Sequence, residues 1–299
     1  MRKEPFFVGD FVQVFNRGNR KQEIVRDEKD RQNFLLGLYY LNNEESPSQP
    51  IARAKEFLNK NSRSNLENSR FDLEFGWPDD WGERKPLVKI LAFILLENHL
   101  HLILEEIKEG GIAKFMGKLG NSMTGYFNEK YSESGRLFQG SYKARRVDDD
   151  NYLRYLAAYV MVKNAFEMYP GGIENAMKNF DDAYDFAIEY PYSSLAAYAG
   201  GEVSPIIDTE MLKEAFPTPQ EMKEFAKGCM DFVYFVNIAA IGFTLYSYEY
   251  IRLTIYAAQR EKAQTSYQQG ENGDCCGGRI GSITPECPQM ALQIQKIRD

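Results

Sequence analysis

The 299-residue chain has two histidines, His99 and His101, separated by a single leucine. On an extended strand, residues i and i+2 project from the same face. The pair would then present two imidazoles side by side while Leu100 and Leu102 turn to a core. Two imidazoles so placed can chelate one divalent metal, leaving positions for a third protein ligand and for substrate oxygens. The competing reading is a pair of hydrogen-bonded histidines with no ligand, and for a lone histidine that reading usually wins. It is weakened here by the alternating strand and by the absence of any other histidine. By itself, H-x-H is shared by several unrelated kinds of metal site.

Other candidate chemistry is thinner. Leu153, Leu156, Ala157 and Val160 share one side of a helix at ~100° per residue. Tyr152, Tyr155, Tyr159 and Lys163 form a neighbouring stripe, so Tyr159 flanks the core and can reach outward. In a chain with 19 tyrosines, an aromatic at a domain seam is the ordinary reading of such a position. Gly111–Leu119 superficially suggests a phosphate-binding loop. It has five residues between its glycines and Leu119 where Ser or Thr is required, so it is rejected. Cys275, Cys276 and Cys287 have no paired C-x-x-C and no nearby histidine, which argues against zinc. The four cysteines are too few and too uneven for a disulfide framework.

The composition sets the frame. The chain is 43% apolar and 26% charged, with 36 basic against 43 acidic residues and a net charge of -7. That excludes a collagen, a disulfide miniprotein or a wholly disordered chain, and no global basic field draws it to nucleic acid. The charge is uneven, however. Gly111 to Arg146 holds seven basic and two acidic residues, a local charge of +5. The opening residues do not form a secretory signal, so a cytoplasmic location is expected. Phe232 to Tyr248 is uncharged but falls short of the ~20 residues of a membrane-spanning helix, so no membrane association is expected.

Alternation in FVQVF (Phe11–Phe15) predicts a first strand, followed by a turn at Arg17–Arg20. The spacing predicts a helix over 27–40. Residues 43–86 are polar and punctuated by Pro and Asn, and read as an insertion or surface excursion with one short helix near Ile51–Leu58. Leu87–Leu96 and His99–Leu104 read as two adjacent antiparallel strands, the first buried on both faces. A helix over 112–131, a strand over 137–147 and a helix from Asp148 through Asn164 follow. The order β-α-β-β-α-β predicts an α+β fold. Its centre is a ferredoxin-like split βαβ antiparallel sheet with helices on one face, and a mainly helical C-terminal extension follows. The expected domains are 1–170, a helical extension over 171–263, and a poorly ordered tail over 264–299.

Several ordered segments resemble the single-tyrosine HUH transposases, above all those associated with repetitive palindromic elements. LLENHLHLILEE is similar to their "PNHVHLL" strand, and FNRGNRKQEIVRDEKDRQNFL to their opening "RGN" segment. GRLFQGSYKARRVDDDNYLRYLAAYV resembles their fourth strand and following helix, and PYSSL their "WSSy". The resemblance covers roughly residues 8–200. It implies an insertion-sequence-type transposase that cleaves and rejoins single-stranded or hairpin DNA through a covalent 5′-phosphotyrosine. His99 and His101 would hold Mg²⁺ or Mn²⁺, and a homodimer is compatible with it. The family's "YI-x-x-NP" tyrosine falls on Tyr159, with Tyr155 as runner-up nucleophile. A phenol ordinarily titrates at ~10 and is a poor nucleophile at neutral pH, which is why Lewis-acid help at the phosphate is needed.

The sequence leaves the family pattern at one point. Where the resemblance implies Asn or Gln as third metal ligand, four residues after the tyrosine, the chain has Lys163, and a protonated lysine cannot ligate a cation. Three outcomes stay open: a distorted helix that lets Asn164 ligate, water in the third position, or lost activity. Lys163 could instead contact a DNA phosphate, joining Arg17, Arg20, Lys118, Arg136, Lys143, Arg145 and Arg146 as expected nucleic-acid contacts. Two rivals remain, a catalytically inactive DNA- or RNA-binding relative of the same fold and a metal-dependent hydrolase without a covalent step.

Overall fold

The computed structural model describes residues 5–61, 75–201 and 204–239. All lie in the first of two contact units, Met1–Gly242. The expected tail over 264–299, its cysteines and most of Phe232–Tyr248 lie outside the described residues. Four strands form one antiparallel sheet: β1 (Phe11–Arg17), β2 (Val88–Leu95), β3 (His99–Glu106) and β4 (Lys143–Val147), in the order β2-β3-β1-β4. Helices α1 (Glu28–Tyr40) and α3 (Gly111–Tyr131) complete the split βαβ arrangement. The α+β class expected from the sequence is the class observed.

Register sorts the side chains onto two faces. Val14 pairs with Leu102, and Leu102 with Phe93. Phe93 meets Phe34 of α1 at 6.1 Å between ring centroids, so this face carries α1 and α3. Gly37 marks where the two helices cross, because a Cβ there would meet Leu119 at 2.9 Å. The opposite face carries Arg17, Phe15 and Gln13 of β1, paired with His99, His101 and Ile103 of β3. Lys143 and Arg145 of β4 continue these rows beside Phe15 and Gln13.

The start of α1 and the end of α3 are tied together. Asp27 and Asp30 form a reciprocal capping box that satisfies amide donors otherwise left over at a helix start. Lys130 reaches both carboxylates, at 2.5 and 2.6 Å, and the Tyr131 hydroxyl donates to Asp30.

Two expectations are corrected. The strand predicted over 137–147 begins only at Lys143. Leu137 and Phe138 are buried, but their segment makes only an isolated bridge to Gly18. The apolar content of that segment serves core packing rather than strand pairing. The 43–86 insertion is not a loose excursion where it is described. α2 (Pro50–Asn61) buries Ile51, Ala54 and Leu58 and packs on α1. Tyr39, Tyr40, Phe75, Trp77 and Trp81 pack ring against ring, and the Arg84 guanidinium lies 4.2 Å from the Tyr39 ring centre. Polar composition concealed these aromatic anchors.

After β4 the chain forms α4 (Asp150–Ala158), a π turn (Tyr159–Lys163) and α5 (Asn164–Phe166). Asp149 caps α4 by accepting from the Tyr152 amide at 2.8 Å. The described part of the extension is helical: α6 (Gly172–Lys178), α7 (Phe180–Glu189), α8 (Leu195–Ala199), α9 (Glu210–Ala215) and α10 (Pro219–Ala239). α7 and α10 pack on the π turn. Tyr192–Ser194 runs along the outer edge of β2, with the Leu95 amide donating to the Tyr192 carbonyl and the Ser194 amide to the Phe93 carbonyl, so this edge is covered. Among the described residues no helix is long and apolar enough to cross a membrane.

Asn42 fixes where β2 begins. Its buried carboxamide accepts from the Leu87 and Val88 amides at 3.0 and 3.1 Å and donates to the Val88 carbonyl at 2.9 Å. Asn42→Ala would strand these backbone groups and is expected to cost about 2–4 kcal/mol, read from the urea unfolding midpoint. A loss well under 1 kcal/mol would show that water replaces the side chain.

Candidate metal and nucleophile site

The β2–β3 hairpin presents the histidines. Its two-residue turn, Glu97–Asn98, is closed by the Leu96 amide donating to the His99 carbonyl at 2.9 Å. Asn98 donates through its amide to the Lys21 carbonyl at 3.4 Å, which turns its oxygen to His99 Nδ1 at 2.6 Å. That oxygen can only accept, so Nδ1 carries the proton and Nε2 keeps its lone pair. His101 is 8% exposed, and its Nδ1 has no hydrogen-bond partner among the described residues. The two imidazoles lie 5.2 Å apart, edge to face.

Phe15 stacks on His101, with centroids 5.6 Å apart and planes at 18°. The Lys143 ammonium sits 6.0 Å from the Phe15 ring centre. Lys143, Phe15 and His101 therefore form one row across β4, β1 and β3. Arg145, one row along, lies 5.9 Å over the Tyr152 ring.

Across this face runs the helix after β4. The Tyr159 ring lies 5.9 Å from the His101 ring, edge to face. Tyr155 stacks on Tyr159 at 6.4 Å, so Tyr159 is the tyrosine against the histidine pair and Tyr155 lies behind it. The π turn begins at Tyr159, and the Asn164 amide donates to the Tyr159 carbonyl. A π turn closes on residue i+5 rather than i+4, so Lys163 and Asn164 both flank the column above Tyr159. The Asn164 carboxamide is buried, and neither its oxygen nor its nitrogen has a partner among the described residues. The Lys163 ammonium lies 5.2 Å from the Tyr159 ring centre and pairs with Glu167.

These contacts set the charge state. Burial, joined by the His99 and Lys163 charges, lowers the His101 pKa to about 3. Burial also lowers that of His99, with Glu167 opposing and Arg17 and Lys163 adding to the shift. Both imidazoles are held in the neutral form that ligates metals. Among the described residues no three His, Cys, Asp or Glu side chains gather. Asn164 is a buried amide whose oxygen and nitrogen have no partner among the described residues. Two neutral imidazoles on one strand face are of the type that suits a divalent cation, and an amide oxygen such as that of Asn164 is chemically able to join them.

The structure brings together His99, His101, Tyr159, Lys163, Arg17, Lys143 and Arg145. Arg20 and Arg136 are exposed in the turn after β1 and in the loop before β4. Two expected DNA contacts are not brought to the site. The Lys118 ammonium, on α3 over the opposite face, donates to the Asn43 carbonyl at 2.6 Å and the Ser46 hydroxyl at 3.1 Å. Arg146 pairs in register with Val12, on the α1/α3 side, and binds Asp10 and Asp148. Sequence reasoning missed Phe15, Asn98 and Glu167. Alternation in FVQVF and the i+4 spacing of Lys163 and Glu167 were the available signals.

A pH dependence follows from His101. Unfolded, it takes up a proton near ~6.5; folded, only at about 3. Between those values the unfolded chain binds more protons, so the contribution to stability is present above pH 6.5 and is lost as pH falls through the window. In chelator, the urea midpoint should fall from pH 7 to pH 5, and His101→Gln should flatten that slope. An unchanged slope in the variant would assign it to other groups.

Residues 83–163 match the sequence model of the family described as "Transposase IS200 like". The matched stretch contains both histidines, Tyr159 and Lys163, and stops one residue short of Asn164. A solved structure described as "Structure of the REP associates tyrosine transposase bound to a REP hairpin" is similar over 70% of this chain and 92% of that one, at 12% identity and a TM-score of 0.37. None of the curated proteins matches the chain. Residues 83–163, the stretch that builds the β2–β3 hairpin, α3, β4 and the tyrosine helix, are thus the part of the chain that is similar to the IS200-like transposase family.

Proposed function

We propose that the protein is a metal-dependent single-tyrosine DNA transposase that cleaves and rejoins single-stranded or hairpin DNA, with Tyr159 as nucleophile. The observation that carries this reading is the Tyr159 ring lying against His101 of a neutral histidine pair. The family match supports a transposase function. The catalytic domain is proposed as residues 1–170 with its insertion at 43–86, followed by the helical extension over 171–263.

The Tyr159 oxygen attacks the scissile phosphorus. The bond from phosphorus to the 3′ oxygen breaks, that oxygen takes up a proton, and the phenol proton passes to solvent. The products are a 5′-phosphotyrosine and a free 3′-hydroxyl. A second 3′-hydroxyl reverses the step on the new partner strand and restores the phenol, so no nucleotide cofactor is consumed. His99, His101 and Asn164 would hold Mg²⁺ or Mn²⁺, which when bound supplies Lewis-acid polarisation of the phosphate. Arg17, Lys143 and Arg145 line the sheet face beside the histidines and would carry strand phosphates, with Arg20 and Arg136 reaching in from the flanking loops.

One observation favours a second reading. The ammonium of Lys163 stands beside Tyr159 where the resemblance implies a ligating side chain, as expected of a relative that binds DNA without cutting it. Incubation of labelled hairpin-bearing single-stranded DNA with Mn²⁺ and denaturing electrophoresis separates the two. A protein–DNA adduct in wild type that is abolished in Tyr159→Phe supports the transposase. Binding with no adduct under several metals and substrates sinks it in favour of the inactive relative.

The third ligand has its own measurement. Asn164→Ala is expected to weaken Mn²⁺ binding by about tenfold or more, in the range found for conserved groups around metal sites. Titration calorimetry without DNA reads this. Equal affinity in wild type and variant would reject Asn164 as a ligand.

A further inference from the structure

Lys163 and Glu167 are four residues apart on the helix segment that crosses the histidine face, and their side chains form an ion pair. The order of charges is the less favourable one for helix stability, since the acidic residue belongs N-terminal to the basic one at this spacing. Both side chains are partly exposed, at 20% and 37%, so the pair is open to exchange with an incoming ligand. It also sits over the chemistry. Lys163 acts electrostatically on both histidines, and Glu167 and Arg17 act on His99. The lysine ammonium is 5.2 Å from the Tyr159 ring centre.

A phosphodiester brought to Tyr159 must approach a carboxylate of like charge, which repels it, and an ammonium, which attracts it. The lysine has a flexible four-carbon stem and three donors. It can turn from one anion to the other without moving the backbone, while Glu167 can swing to solvent.

We infer that the Lys163–Glu167 pair is a phosphate-responsive latch: Glu167 holds the Lys163 ammonium in the DNA-free protein, and the backbone phosphate of a single strand entering beside Tyr159 takes the ammonium from it. The inference rests on the reading of this face as a single-strand site. It gives Lys163 a role as a strand contact and makes Glu167 a competitor that weakens binding to any anion too weak to displace it.

The test uses the full chain, a fluorescent single-stranded oligonucleotide and chelator, with binding read by anisotropy across a salt series. Glu167→Gln should bind about three- to tenfold tighter than wild type, and Lys163→Met weaker by a similar factor. Lys163→Arg should bind as wild type. Lys163→Met should also lower the slope of log affinity against log salt by about 0.7, one phosphate's share. The double variant should bind much closer to Lys163→Met than the sum of the two single effects gives, because Glu167 acts mainly through the lysine and only weakly by direct repulsion. Glu167→Gln binding no tighter than wild type, or the two effects simply adding, overturns the latch. If the Tyr159-dependent adduct forms in wild type while these variants change nothing, the latch alone fails. If wild type binds no single strand, the functional reading fails with it.

Discussion

Strand alternation in β3 is the constraint on which the rest depends. Leu100, Leu102 and Leu104 are almost wholly buried on the side of α1 and α3, so His99 and His101 must project from the other face. A one-residue slip in pairing would send both imidazoles into the apolar layer and three leucines out of it. The register is fixed at both edges of the strand, by β1 and by β2, and the two-residue turn at Glu97–Asn98 leaves no slack. The hydrophobic energy that fixes the core thus also fixes the spacing of the two imidazoles. With the pair built on a strand rather than a loop, the 5.2 Å between the two ring centroids is set by the sheet itself.

The helix over this face solves a second problem through one irregularity. In a continuous α-helix Lys163 would stack over Tyr159 and Asn164 would turn away toward the apolar side. The π turn places one extra residue in that stretch, so Lys163 and Asn164 come to stand on either side of the tyrosine column. Insertions of this kind recur at functional sites because they re-aim side chains while keeping the flanking helix intact. Here the surroundings over-determine it. Val160, Met161 and Val162 are fully buried, and α7 and α10 pack around the turn. Beside a lysine at the expected ligand position, the irregular turn leaves one buried, unpartnered amide, that of Asn164.

The parts legible in the sequence are those set by local periodicity. The β2–β3 hairpin, the capped helix after Asp27, the long helix after Gly111 and the alternation of His99 and His101 each follow from spacing alone, and the sheet order follows from the sequence of elements. The failures share a cause, which is that periodicity assumes regular geometry and local partners. Leu137–Tyr142 is apolar enough for a strand, yet its carbonyl and amide groups bond to Arg17 and Asn19 in a connecting loop. The insertion has polar composition, but a few aromatic residues far apart in sequence supply its packing. The π turn is invisible to any pattern based on 3.6 residues per turn. Lys118 and Lys143 are both exposed-type lysines in one basic stretch, and only the register of β4 against β1 shows that they serve opposite faces.

That sorting of charge by face also resolves the apparent conflict between a net charge of -7 and the polyanionic substrate proposed for this face. At physiological ionic strength the Debye length is about 8 Å, so a strand on the sheet responds to nearby charges far more than to the total. Much of the basic surplus between Gly111 and Arg146 is neutralised where it stands: Lys130 by Asp27 and Asp30, Arg146 by Asp10 and Asp148. Lys118 is occupied by backbone carbonyls. The histidine face differs. Arg17, Lys143 and Arg145 are exposed there, and Glu167 is the carboxylate whose charge reaches His99. Because that carboxylate is paired with Lys163, the face combines a positive rim with a centre close to neutral. Under the proposed function, such a surface would draw phosphates in along the edge strand and discriminate at the centre, where desolvation is greatest and an unpaired anion costs most.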